Sequence, residues 1–249
     1  MTTAFIIPAR NEEQVIGKML RFILAIYDKY INQIIVVDDG SSDKTAEIIE
    51  KIYKSDKRVF LIKKKSPHGV GLAIREGLKY VSPDCEYVFL LDADFIRNIP
   101  DLEDFFIKIK DYDGLIGSRY LEKNSLVHYP TLKKIFNRLF HLCVRVFLGI
   151  NRSDLTNNFK FYRRKIFNSI TLTARDYAVN AETGLYPILK GFKIGEIPVT
   201  WYARSRNMGS SKFKMLQVTP GYLKVLLHAS LMSKSPGSGF LRAFQKLIK

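Results

Sequence analysis

Tyr87-Val-Phe-Leu-Leu-Asp-Ala-Asp94 is a short run of Val, Phe and Leu closed by two carboxylates. Its length suits a buried strand rather than a helix. A strand interior does not tolerate unpaired carboxylates, so Asp92 and Asp94 are expected at the C-terminal edge, where open α/β sheets bind ligands. Residues i and i+2 of an extended chain point the same way, so the two acids can converge on one hard cation. Taken alone, the pair also fits a strand end that happens to be acidic.

Two further segments share the pattern. Thr3-Ala-Phe-Ile-Ile-Pro-Ala-Arg-Asn-Glu-Glu13 is an apolar run that ends in Pro8 and polar residues. Gln33-Ile-Ile-Val-Val-Asp-Asp-Gly-Ser-Ser-Asp-Lys-Thr45 is a second strand pattern ending in acids, with Asp43 as the N-cap of a helix to about Lys54. Three strand ends therefore deliver acids or a Pro/Asn/Glu loop to one sheet edge. Further along, strands are expected near 59–62, 87–92, 113–118, 157–162 and 195–201. Helices are expected near 11–28, 43–54, 70–80, 101–110, 131–148, 176–190 and 213–232. That alternation implies an α/β fold with a mostly parallel sheet covered on both faces. No clean boundary precedes Ser205, so residues 1–205 are expected as the catalytic domain and 206–249 as a loop with a helical appendage. Gly69 and Gly71 allow close backbone approach at a helix start, as a phosphate site needs.

The chain has 249 residues, enough for a substantial core, and 40 Lys+Arg against 24 Asp+Glu, a formal +16. The excess calls for an anionic partner: nucleic acid, an acidic membrane or phosphorylated substrates. No zinc spacing, helix-turn-helix signature or RNP aromatic pair supports nucleic acid. Cys85 and Cys143 form no metal spacing or disulfide framework, and no signal peptide precedes the first strand. No apolar stretch approaches the ~18 residues needed to span a bilayer. A cytoplasmic protein, soluble or peripheral to the membrane, is expected.

From Thr131 to Gly149, Leu132, Ile135, Phe136, Leu139, Phe140, Cys143, Val146 and Phe147 follow helical spacing. Lys134, Arg138, His141 and Arg145 form another stripe. This fits either a core helix with a solvated basic face or a membrane contact. The tail places Phe240, Leu241, Phe244, Leu247 and Ile248 on one side and Arg242, Lys246 and Lys249 on the other, as a helix in an anionic interface would. A membrane-protein partner is also compatible with such a surface.

Pro8-Ala-Arg-Asn-Glu12, Val37 to Asp43, Gly71 to Gly77, Asp92-Ala-Asp94, Gly117-Ser-Arg-Tyr120, Asp154 to Lys160 and Arg206-x-x-Gly-x-x-Lys212 occur in an order that resembles the family 2 glycosyltransferases of GT-A fold. The similarity is greatest to the dolichyl- and polyprenyl-phosphate sugar transferases and covers nearly the whole chain. It implies one inverting transfer of a sugar from a nucleotide donor, such as GDP-mannose or a UDP-hexose, to a lipid phosphate. It implies Mg2+ or Mn2+ on Asp92 and Asp94, and nucleotide contacts from Pro8, Ala9, Glu12, Asp39, Gly71 and Asp92. Arg206 and Lys212 would belong to a loop closing over the diphosphate. Arg119, Lys133 and Asn137 would meet the acceptor phosphate, and Glu182 would orient it. The alternative is a relative that elongates a glycan at a hydroxyl, with Glu182 as base; a non-catalytic binding protein is the third reading. The chain departs from its relatives at Ile96 and Arg97, where a Gln-His pair is usual. It also departs at Lys133 and Asn137, where Arg and Ser are usual, and at Thr156-Asn-Asn-Phe159, where Thr-Ser-Gly-Phe is usual.

Overall fold

A computed structural model describes residues 1–203, 215–233 and 235–239. Strands β1 (Thr3–Ala9), β2 (Ile31–Asp38), β3 (Val59–Lys63) and β4 (Tyr87–Leu90) alternate with helices α1 (Ile16–Tyr27), α2 (Thr45–Ser55) and α3 (Val70–Lys79). A 3-10 turn (Phe95–Asp101) leads into α4 (Leu102–Lys108), β5 (Gly114–Ser118), β6 (Leu126–Val127) and α5 (Thr131–Leu148). The chain continues through β7 (Lys160–Arg163), α6 (Lys165–Ser169), α7 (Val179–Leu189), β8 (Ile194–Pro198), β9 (Trp201–Tyr202) and α8 (Met215–Met232).

Among the described residues, seven strands form one sheet in the order β3-β2-β1-β4-β7-β5-β8, and β6 pairs with β9. Every neighbour in the large sheet is parallel except β7, which runs antiparallel to both β4 and β5. The mostly parallel expectation holds, and β7 is the exception that periodicity could not reveal. The strands are near-continuously apolar because helices cover both faces. Alternation then divides the core. Phe5, Ile7 and Phe89 face α1 and α4, while Ile6, Val88 and Leu90 face the layer that includes α5, α7 and α8. On the first face Phe89 stacks between Phe5 and Phe161 at centroid distances of 5.4 and 4.9 Å.

The expected division at Ser205 separates α8 from helices it packs on. Val225, Leu226 and Ala229 of α8 are buried in the same layer as Val144 of α5 and Leu185 of α7. The expected tail face from Phe240 onward lies outside the described residues.

α5 spans the residues its spacing predicted, but its orientation is unexpected. Leu132, Ile135, Leu139, Leu142 and Val146 are 47–58% exposed in an outward stripe, whereas His141, Val144 and Leu148 are buried. α5 therefore packs one face on the core and leaves Lys134, Arg138 and Arg145 solvated as one expectation had it, with an apolar stripe exposed beside them. His141, read as part of the basic stripe, instead accepts the Leu155 N–H at Nε2 (2.7 Å), with Nδ1 2.7 Å from the Asn137 carbonyl. Among the described residues no helix is long and apolar enough to cross a membrane.

Candidate active site

The sheet order reverses between β1 and β4, since β2 and β3 lie to one side of β1. A crevice opens at such a reversal, outside the carboxyl ends of the strands. Here it is a cleft of about 630 Å³ whose walls include Pro8, Ala9, Glu12, Asp39, Asp92, Asp94, Arg119, Lys133 and Asn137. Nine expected site residues from five separate stretches of sequence thus share one cavity.

The rim near β1 and β2 is built by two loops hydrogen-bonded to each other. Asn11 Oδ1 accepts the Ser42 N–H (2.8 Å), the Asn11 N–H meets Ser41 Oγ (2.9 Å), and the Glu12 N–H meets Thr45 Oγ1 (2.7 Å). Asp38 is spent on its own turn, accepting from the N–H and hydroxyl of Ser41. Asp39 faces the cleft. Its carboxylate accepts the Gly69 N–H (2.6 Å) and pairs with Lys64 at 3.0 Å, so the acid is held rigid at the wall. Asp43 accepts from the N–H and hydroxyl of Thr45, the first residue of α2, but the N-cap position falls on Lys44, one residue later than expected.

Asp92 and Asp94 lie past the last residue of β4, not on it. Asp94 has φ −101° and ψ 5° and leads the 3-10 turn, so their convergence comes from a turn rather than from strand alternation. Burial, then the neighbouring Asp94, push the Asp92 carboxyl up to about 7, even though Asn158 Nδ2 donates to it at 2.7 Å. A pair of hard oxygen donors held against its own repulsion suits a divalent cation that retains water or phosphate ligands. Among the described residues no group of three or more His, Cys, Asp or Glu could hold a metal, so the protein would supply a partial ligand set. Ile96 packs against the core, and Arg97 lies over the Tyr202 ring at 5.1 Å, outside the cleft lining, so it adds no charge beside the acids.

Arg119 follows β5 and is fixed by a buried acid. Its Nε and Nη2 donate to Asp154 Oδ2 and Oδ1 at 2.6 and 2.9 Å, and Nη2 also reaches Thr156 Oγ1 at 3.0 Å. Glu196 of β8 fixes Asp154 in turn by accepting the N–H groups of Ser153 and Asp154. Burial raises the Asp154 carboxyl and the Arg119 guanidinium more than reverses that, holding it at about 2. Arg119 is therefore a compensated charge. Lys133, from the inward face of α5, has its pKa lowered by burial and by Arg119.

Three expectations need correction. Glu182 is fully buried away from the cleft lining, with its carboxylate accepting the N–H groups of Thr173 and Ala174 and the Thr173 hydroxyl. It folds the 173–174 loop and cannot reach an acceptor. Gly71 does not line the cleft. Its N–H bonds the Arg175 carbonyl at 3.0 Å, and a Cβ there would strike the Ala174 carbonyl, so its close approach is to its own chain. Asn137 is in the cleft wall, but its amide N–H is given to Thr156 Oγ1 at 2.6 Å. The Thr156 hydroxyl lies 3.2 Å from Asp154, an acceptor only, so one of the two Asn137 N–H donors is spent on Thr156 and its side-chain oxygen is buried. Arg206 and Lys212 lie outside the described residues.

Sequence reasoning missed Asp154 as the partner of Arg119, Asn158 as the partner of Asp92, and Asn180 and Tyr177 in the cleft wall. The one available signal was the acid and amide density of Asp154 to Asn158 in a single loop.

Residues 4–171 match the model of the Glycosyl transferase family 2. The chain is 26% identical over 233 residues to the polyprenol monophosphomannose synthase of Mycolicibacterium smegmatis, covering 90% of this chain and 85% of that one. It is 26% identical over 185 residues to the undecaprenyl-phosphate mannosyltransferase of Micrococcus luteus, covering 73% and 75%. Glucosyl-3-phosphoglycerate synthase from Mycobacterium tuberculosis, solved with Mn2+, uridine diphosphate and phosphoglyceric acid, superposes with a TM-score of 0.64 at 16% identity. That superposition covers 94% of this chain and 79% of the other, and supports the shared fold.

Proposed function

The chain belongs to glycosyl transferase family 2 and is a glycosyltransferase; on that footing we propose that it moves one hexose from a nucleotide sugar to a polyprenyl or dolichyl phosphate at a membrane surface. The observation that carries the acceptor assignment is the double role of α5. Its inward face brings Lys133 into the same cleft as Asp92 and Asp94, and its outward face is an exposed apolar stripe. A phosphate with a long apolar chain matches both faces. The two mannosyl-transferring relatives, named for prenyl phosphates, support the same class of acceptor.

In this reading Pro8, Ala9, Glu12 and Asp39 hold the nucleoside, with Asp39 accepting from its hydroxyls or base. Asp92 and Asp94 hold Mg2+ or Mn2+, which supplies Lewis-acid neutralisation of the diphosphate. Arg119 and Lys133 draw the acceptor phosphate towards the sugar. A phosphate oxygen attacks the anomeric carbon, the bond to the nucleoside diphosphate breaks, and configuration inverts. An anionic phosphate needs no proton removed, whereas a hydroxyl acceptor would need a general base. The burial of Glu182 removes the base on which the glycan-elongating alternative depended. Arg206 and Lys212 remain candidates for a loop over the diphosphate.

The test is incubation with GDP-mannose, UDP-glucose and UDP-N-acetylglucosamine, each labelled in the sugar, with Mg2+ or Mn2+ and a polyprenyl phosphate, followed by solvent extraction. One donor should label the lipid, and Asp94→Asn should abolish labelling without lowering Tm. Labelling of soluble hydroxyl acceptors alone, or full activity of Asp94→Asn, would overturn the reading.

A further inference from the structure

Asn180 opens the first turn of α7 and lies in the cleft wall beside Tyr177 and Tyr222, yet it is only 5% exposed. Its side-chain oxygen has no hydrogen-bond partner. Buried polar groups are almost always paired, and an orphan of this kind calls for an explanation. Disorder does not provide one. The main-chain carbonyl of Asn180 accepts from the Lys160 amine, which also grips Thr183 Oγ1 at 2.7 Å, so the residue is pinned from below by a buried side chain.

We propose that Asn180 reads the transferred sugar: its carboxamide hydrogen-bonds a hydroxyl of the hexose and discriminates among donors that differ at one hydroxyl. The inference rests on the sugar-transfer reading and names a specificity determinant within it. A neutral group able both to donate and to accept matches a hydroxyl, which does the same. A phosphate, which only accepts, gains nothing from an amide oxygen and is better served by Arg119 and Lys133. The terminal torsion of asparagine is broad, so the carboxamide can present oxygen or nitrogen as the hydroxyl requires. A site built to bond a hydroxyl rejects the epimer that lacks it there, because its own polar group is then left unpaired.

The test compares wild type with Asn180→Ala by calorimetry, without lipid acceptor, on the preferred nucleotide sugar, its epimer and the bare nucleoside diphosphate. Asn180→Ala should reduce discrimination between the epimers by about tenfold, the worth of one hydrogen bond. It should leave nucleoside diphosphate affinity unchanged. Its Tm should be equal or higher, because an unpaired buried carbonyl oxygen is removed. Unchanged discrimination, or an equal loss for sugar nucleotide and bare diphosphate, would overturn the inference while leaving sugar transfer intact. Failure of the wild type to bind any nucleotide sugar would overturn both. The omission of lipid keeps the readout independent of the acceptor.

Discussion

Asp154 has no solvent exposure and still carries a charge, because Arg119 meets it with two hydrogen bonds. Removing one partner of a buried pair strands the other charge, at a cost of about 3–5 kcal/mol. Asp154→Asn should therefore destabilise strongly in urea titration at unchanged m-value, and a loss below about 1 kcal/mol would show the pair to be weakly coupled. His141 gives a pH signature. Burial lowers its pKa below the usual 6.5, in keeping with a neutral ring that accepts from the Leu155 N–H. The unfolded chain then binds a proton that the folded one refuses. Stability from this group is full above pH ~6.5 and falls as the pH drops towards the lower folded value. The expected slope approaches ~1.4 kcal/mol per pH unit, and His141→Gln should flatten it in denaturation curves between pH 7 and the acid limb. Neither role was legible in the chain. Arg119 was visible as a cation after a buried strand, but its partner is 35 positions away.

α5 shows the difference between locating a helix and orienting it. Its period was plain from Thr131 to Leu148, but eight apolar positions at helical spacing identify a face without naming what covers it. The packed side is the one that carries Lys133, His141 and Val144. Leu139 and Leu142 are 53% and 47% exposed, so polar replacements there remove little buried contact. Leu139→Gln with Leu142→Gln should leave Tm within about 1 °C and weaken sedimentation with anionic vesicles several-fold, since each exposed leucine contributes an apolar area comparable to a few CH2 groups. Equal sedimentation of both proteins would assign the stripe to another occupant. Gly71 and Glu182 teach the complementary lesson. Both lie on helices where they were expected, yet their polar groups close the chain around residues 173–175 instead of facing a ligand.

The assembled sheet gathers the site. Parallel order puts the carboxyl ends of β1, β2 and β4 on one edge, and the reversal of strand order between β1 and β4 opens the crevice there. The +16 charge gives the molecule an attractive field for diphosphate, lipid phosphate and an anionic bilayer alike, one that salt should screen. The chain alone carried the type and approximate place of the longer elements, the α/β class, the acids near the strand ends and the resemblance to a sugar-transferring family. These are local signals: periodicity reports burial, and an unpaired carboxylate is not tolerated inside a buried strand. It could not carry the antiparallel course of β7, the outward turn of α5, the compensation of Arg119 by Asp154, the retreat of Glu182 or the orphaned amide of Asn180. Each of those depends on which distant group arrives at hydrogen-bonding range, and only the packed sheet and its helices bring such groups together.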